Sequence, residues 1–533
     1  MQNKVLAGAA LLATAAAALS PLEPASGIYF GAWVDNSKND TPSAFNTRLG
    51  SNGSIFQVAE NLPLSKSGPA VYDTVRNTNT DAILYLTVYP NKDNVTDANG
   101  FTVFDELTDA VVADFATRMN NLVSSGNRIL LRWAPEFNGN WNPWSQRPVH
   151  YVATWRKIYT AVKATPGGDK IAFVWGPNVA YNYPFGGLGT APFNIPAGLT
   201  SATFTDDMKT RANARNLTEF EAVDTNGDGT LDGADDAYAP YWPGAEFVDW
   251  VGASQYYYGP SDQGPPFLLY PSYQHSTNII PGSDAFVQQL TDSPAAHPAD
   301  LSVDLYTGYA VNYSKPFIIT ETGASYHEWM SAYTTLNNTD VPAAPIAPSH
   351  NLNSKLEIKQ AWWRQYITNQ AFLEAHPMIK AICLFEYQKD EEATYRDFQV
   401  LNDTASADNS TDTAAVYNAF KADFEAVKSL YIFANATAPV AGVPAATGAG
   451  NPASTGAAAP AATGGAAPAA PAATGAAGPA TTGAASPAAN STTSSAGSTA
   501  AANSGKTSAA QTARVSALAF TAIGFVAMIA ALM

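Results

Sequence analysis

Eight short runs of branched and aromatic residues punctuate residues 27–434, at 28–33, 54–59, 82–88, 128–133, 171–175, 249–253, 317–320 and 379–385. Each has the length and composition of a strand buried on both faces, as in a parallel sheet. Between several of them apolar residues recur at helical spacing, over 109–124, 151–164 and 354–375. The last of these carries Leu356, Ile358, Trp362, Trp363, Tyr366 and Phe372. Strand and helix alternating through eight strands predicts an α/β fold, a closed (β/α)8 TIM barrel. The span 27–434 is large for one core but ordinary for such a barrel with insertions.

Two of the strands stop at an acid. Residues 128–144, RILLRWAPEFNGNWNPW, pass from an apolar run to Glu136 and then at once to an amide and indole rings. The seventh run, KPFIITETGAS over 315–325, ends in the same way at Glu321. In a closed barrel the C-terminal strand ends gather at one mouth, and the fourth and seventh strands stand on opposing sides of it. Glycoside hydrolysis needs two such carboxylates. One protonates the leaving oxygen and the other attacks the anomeric carbon, about 5–5.5 Å apart in a retaining enzyme. Asn138, Trp141 and Trp144 add a hydrogen-bonding group and flat apolar faces, a set suited to a sugar ring rather than to a metal, a phosphate or a nucleic acid.

Several strings carry a resemblance: GAW (31–33), AILYLTVYP (82–90), LRWAPEFNGNWNPW (131–144), FVWGPN (173–178), VDWVGASQYYYG (248–259) and IITETG (318–323). In this order, and at strand ends, they make the chain resemble glycoside hydrolase family 26, best known for secreted β-mannanases. The resemblance implies Glu136 as general acid/base and Glu321 as nucleophile. It implies Tyr256 bonded to the nucleophile, and Asn138 and Trp141 lining the sugar subsite. Trp144, Trp175, Asn178 and Tyr258 are candidate platform residues, with ordinary rim packing as the alternative. Arg132, inside a strand, needs a carboxylate partner and either orients the site from beneath or touches substrate. Glu386, at the end of the eighth strand, either holds a substrate hydroxyl or pairs with Arg132. Two positions depart from the family pattern. Pro135 stands where a histidine usually precedes the acid/base, and LFEYQ (384–388) lacks the usual tryptophan, leaving Phe385 or Tyr387 to substitute. The resemblance favours β-1,4-mannan, although the family also includes xylanases and β-glucanases.

A second motif is DTNGDGTLDGAD over 224–235. An EF-hand-type loop places oxygen ligands at positions 1, 3, 5, 7, 9 and 12 and glycine at 6. These fall on Asp224, Asn226, Asp228, the Thr230 carbonyl, Asp232 and Asp235, with Gly229 at the turn. A structural calcium ion is therefore expected, clamping a long insertion between the fifth and sixth strands. Aspartate in place of the usual terminal glutamate shortens the reach. No organic cofactor is expected.

The ends are processing signals. Residues 1–20 carry Lys4 and an apolar Ala/Leu run, a secretory signal with cleavage between 18 and 26. Residues 436–502 are almost wholly Ala, Pro, Gly, Thr and Ser; such a stretch cannot bury enough apolar surface to fold and reads as an extended stalk. Residues 503–533 combine small residues, a polar spacer and an uncharged apolar tail. That is the pattern of a GPI-attachment signal with Asn503 at the omega position; a transmembrane anchor is the alternative. Ten Asn-X-Ser/Thr sequons agree with secretion, and the net charge of -17 speaks against nucleic acid as a partner. Cys383 is the sole cysteine, which excludes an intrachain disulfide. The expectation is a monomeric, surface-anchored retaining glycosidase acting on a β-linked cell-wall polysaccharide. A carbohydrate-binding barrel without turnover and a wall-remodelling transglycosylase are the competing readings.

Overall fold

The computed structural model describes residues 19–63, 70–90, 102–139, 141–180, 183, 218–228, 231, 233–259, 278–291, 301–334, 340–391, 394–402 and 411–437. The chain divides into two units, Met1–Ala445 with Thr521–Met533, and Ala446–Phe520, and every described residue belongs to the first. The expected signal core, most of the stalk, Asn503 and the apolar tail lie outside the described residues.

All eight predicted strands are present: β1 (Ile28–Val34), β2 (Ile55–Leu62), β3 (Ile83–Pro90), β4 (Ile129–Trp133), β5 (Ile171–Trp175), β6 (Trp250–Tyr257), β7 (Phe317–Ala324) and β8 (Ile379–Glu386). Each pairs in parallel with its neighbour, and β8 pairs back onto β1 from Tyr29 opposite Ala381 to Val34 opposite Glu386. That last pairing closes the barrel. A short ninth strand, Tyr431–Ile432, adds to β1 beside β2. At Gly31 the β1 and β2 backbones come so close that a Cβ would stand 1.7 Å from the Ile55 carbonyl oxygen, so no other residue fits.

Side chains alternate across each strand, and this separates two cores. Inside the barrel Tyr29, Ile55, Tyr85, Leu130, Val174, Trp250, Ile318 and Cys383 pack together. Outside it, Phe30, Leu131, Trp175 and Ile319 meet the surrounding helices. The main helices are α1 (Asp109–Ser124), α2 (Pro148–Lys163), α3 (Lys355–Tyr366) and α4 (Thr411–Val427). On α2 the buried residues Tyr151, Trp155, Ile158 and Val162 recur at three and four, the spacing that puts them on one face. Ser354 and Glu357 form a capping box that starts α3. The single helix expected over 354–375 is instead two, because the Asn369 side chain accepts from Phe372 N and caps a separate helix, Gln370–Ala375.

A small sheet, like α4 and the ninth strand, has no counterpart among the elements expected from the sequence. Tyr326–Met330, Ala344–Pro345, Gln388–Glu391 and Thr394–Asp397 form a small antiparallel sheet carried by the segments that leave β7 and β8. It delivers Phe398 to the barrel mouth, where the ring packs against Tyr256 and Phe385.

Candidate active site

Glu136 stands three residues beyond β4 on a turn held out of ordinary backbone geometry. Ala134 and Glu136, on either side of Pro135, have φ of 43° and 52°, and left-handed backbone costs a non-glycine residue roughly 1–2 kcal/mol. The surroundings fix it there. Glu136 N donates to Gly176 O (3.1 Å), Ala134 N to Val88 O (2.9 Å), and the Trp144 indole to Pro135 O (2.8 Å). Strain of this kind, over-determined by its neighbours, marks functional turns.

Both oxygens of the half-buried Glu136 carboxyl meet donors. The Trp141 indole N–H reaches Oε2 at 2.8 Å, and Asn178 Nδ2 reaches Oε1 at 3.3 Å. Burial, then the charge of Glu321, push its pKa above the ordinary carboxylate value against the opposing pull of Arg132. That is the direction a general acid needs near neutral pH.

Glu321 lies within β7, buried, and accepts three hydrogen bonds from three other strands. Arg132 of β4 donates to Oε1 at 2.5 Å, Gln57 of β2 to the same oxygen at 3.2 Å, and Tyr256 of β6 to Oε2 at 2.9 Å. Arg132 is fully buried and also donates to Ser254 Oγ (2.7 Å) and Gly176 O (3.1 Å). It therefore sits beneath the mouth and ties β4, β5, β6 and β7 together. Gly176 leaves it room, since a Cβ there would stand 2.7 Å from the guanidinium Nε.

Around this pair the rings of Trp33, Tyr256, Tyr258, Phe385, Tyr387 and Phe398 form one aromatic cluster at the mouth. Trp33 meets Phe385 and Tyr387 edge-on at 5.6 and 5.4 Å, and Tyr256 stacks with Tyr258 at 5.6 Å. The two rings expected to substitute on the eighth strand, Phe385 and Tyr387, stack on each other at 4.4 Å.

The remaining candidates are placed otherwise. Asn138 is fully buried and its amide is spent on the Asn178 main chain, donating to Asn178 O at 2.8 Å and accepting from Asn178 N at 2.9 Å. Trp144 is buried beneath the strained turn it holds. Trp175 faces outward from β5, since Val174 points inward; it packs against Phe137, Trp242 and Tyr309 and donates to Tyr241 O at 3.0 Å. The Glu386 carboxylate neither bonds Arg132 nor opens to the mouth. It is fully buried and accepts from Val400 N (3.0 Å) and Leu401 N (3.1 Å), which anchors the segment after the small sheet. Gln57, Ser254 and Trp33 were absent from the sequence-based candidates. Strand alternation would have found Trp33, two residues beyond the inward Gly31 position.

Of the acidic loop, Asp224, Asn226, Asp228 and Asp235 are described, whereas Thr230 and Asp232 lie outside the described residues. Asp235 Oδ1 folds back to accept from Thr225 N (2.6 Å) and Asn226 N (3.3 Å), bringing the loop's last acid to its first turn. Among the described residues no group of three or more His, Cys, Asp or Glu gathers as a metal site.

Solved structures similar to this chain include three mannanases. A double mutant of a Cellulomonas fimi endo-β-1,4-mannanase matches at 15% identity over 76% of this chain and 72% of that one, with a TM-score of 0.40. The catalytic domain of a GH26 endo-β-1,4-mannanase from Bacillus sp. JAMB-750 matches at 15% over 75% and 86%, TM-score 0.39. A GH26 β-mannanase from Bacteroides ovatus matches at 13% over 77% and 91%, TM-score 0.38. No protein-family model and no curated protein matches the sequence. Likeness at this level carries nothing about the reaction; the barrel rests on its own strand pairings.

Proposed function

We propose that this protein is a retaining glycoside hydrolase that cuts a β-linked cell-wall polysaccharide, with β-1,4-mannan the favoured substrate. One observation carries the reading: Glu136 and Glu321, remote in sequence, share one electrostatic environment at the barrel mouth, with Arg132 of β4 reaching across to Glu321 and an aromatic cluster beside them. In the first step Glu321 attacks the anomeric carbon while Glu136 gives its proton to the leaving glycosidic oxygen. The carbon–oxygen bond to the leaving sugar breaks and a glycosyl ester to Glu321 forms. In the second step Glu136, now ionised, takes a proton from water, whose oxygen attacks the same carbon and releases Glu321. Arg132, Gln57 and Tyr256 hold the nucleophile in one orientation, and that pre-organisation lowers the cost of reaching the transition state.

The test is incubation of the secreted protein with mannan, xylan and mixed-linkage glucan, scored by reducing ends. Release from mannan above the other two, lost in Glu321→Ala, supports the reading. Binding to any of them with no reducing ends released would instead identify a carbohydrate-binding barrel.

The same reading includes a structural calcium ion at Asp224, Asn226, Asp228, Thr230, Asp232 and Asp235, supported by the ligand spacing in the sequence and by the return of Asp235 to the loop's start. It also includes display at the cell surface through a GPI lipid joined near Asn503, supported by the composition of residues 503–533.

A further inference from the structure

We infer that Asn178 is a positioning residue for the general acid, and that together with Trp141 it assigns the transferable proton to Oε1 of Glu136. The inference rests on the acid/base reading of Glu136 and goes further, naming which oxygen does the work and what aims it.

An indole N–H can only donate. Trp141 donates to Oε2 at 2.8 Å, and in a carboxylic acid the carbonyl oxygen is a better acceptor than the hydroxyl oxygen. The acid form is therefore best satisfied with Oε2 as its carbonyl and the proton on Oε1, the oxygen facing Asn178 at 3.3 Å. A carboxamide carries both a donor and an acceptor. Asn178 can donate Nδ2–H to the ionised carboxylate and, after rotation about its last torsion, offer Oδ1 to the protonated one. Ser254, whose hydroxyl also bonds Glu136, already accepts from Arg132 at 2.7 Å and so serves as a donor to the carboxylate.

The rest of Asn178 is pinned. Asn138 clamps its main-chain N–H and carbonyl at 2.9 and 2.8 Å, and its backbone bridges to Ser254 within β6. Only the side-chain torsions remain to follow the proton. The clamp explains why a buried amide, Asn138, stands two residues after the acid without reaching the mouth. In the first chemical step the O–H bond of Oε1 breaks as the proton moves to the leaving oxygen, and the amide then donates to the carboxylate left behind. In the second step the proton taken from water returns to Oε1.

Asn178→Ala and Asn178→Asp separate this from a structural role, since neither removes the main-chain groups that Asn138 holds. Initial rates would be measured on two aryl glycosides, one with a poor phenol leaving group and one with a dinitrophenol that needs no protonation. For Asn178→Ala the glycosylation rate on the poor leaving group should fall about 10–100-fold, the scale of one hydrogen bond to a charged group. On the dinitrophenyl substrate it should stay close to wild type. Asn178→Asp places a second carboxylate against Oε1, so the alkaline limb of its kcat/KM profile should move to higher pH. Equal losses on both substrates with an unmoved pH profile would overturn the inference, as would no loss at all. If Glu136→Ala loses the poor-leaving-group substrate while Asn178→Ala does not, this inference fails and the acid/base reading stands. If Glu136→Ala leaves that substrate untouched, both fall.

Discussion

Charged groups inside this barrel are held by partners drawn from several strands at once. Arg132 is the clearest case, since removing Glu321 would take away its ion-pair partner and leave its hydrogen bonds to a hydroxyl and a carbonyl. Glu386 is the opposite case, a buried acid held by backbone N–H groups and, among the described residues, by no ion pair. Burial pushes its pKa up to about 7, against the pull of Val400 N–H, Arg48, Leu401 N–H and Lys359. A raised value means that the folded protein holds the proton more tightly than the unfolded chain. The stabilisation is complete below the ordinary carboxylate range near 4.5 and is lost as pH rises through about 7. Glu386→Gln should therefore flatten the fall in stability between those limits, a window worth roughly 3 kcal/mol at most. Denaturant melts at pH 4.5 and 7.5 read it directly, and identical pH slopes in wild type and variant would refute the assignment. Residue roles were the least legible part of the sequence. A strand buried on both faces is a continuous apolar run, so nothing in FVW at 173–175 says that Trp175 points outward and Val174 inward. Gln57 and Ser254 looked like isolated polar residues in such runs, and only closure of the barrel brings them to Glu321 and Arg132. Asn138 has the residue type and spacing of a sugar ligand, yet the segment after β5 takes both ends of its amide.

Elements were more legible than residues. The eight strands, α1 and α2 follow from apolar spacing and turn chemistry, although α2 starts three residues earlier, at Pro148, and β2, β6 and β7 run three or four residues past their apolar runs. The expected 354–375 helix broke at Asn369, where a capping side chain outweighs a continuous apolar stripe. The small sheet that bears Phe398 was missed because its strands are four or five residues or fewer and mix charge with aromatics, a pattern close to that of loop. Its buried charges hold it to α3: Lys355 and Lys359 both reach Asp397, at 2.9 and 3.2 Å. Although burial raises the Asp397 pKa, the two ammonium groups outweigh it and bring it down to about 2. The sheet thus loses stabilisation as pH falls from the ordinary aspartate range toward 2, the reverse of Glu386. The inserted acidic loop belongs to the same scale. With calcium at a hundred times its dissociation constant, bound metal would stabilise the fold by about 2.7 kcal/mol. Addition of a chelator should lower the thermal midpoint by a few degrees, and re-addition of calcium should restore it. An unchanged midpoint would remove calcium from the account.

At the scale of the whole molecule, the barrel acts as a device for convergence. Glu136 and Glu321 stand 185 residues apart in the sequence, and parallel strands that all end at one mouth bring them into the same field. The closed pairing of β8 with β1 is what makes the mouth a ring rather than an edge. Alternation of strand and helix predicted that closure, and the pairing of Glu136 with Glu321 as catalytic acids is the proposal built on it. The remaining claim is chemical, that Glu321 carries the sugar. Incubation with an activated 2-deoxy-2-fluoro-β-mannoside, followed by digestion and peptide mass measurement, tests it most directly, because the fluorine slows release of the glycosyl ester. The account predicts one fluoromannosyl mass increment on the peptide containing Glu321, absent in Glu321→Ala. A label on any other residue, or none in a preparation that releases reducing ends from mannan, would contradict it.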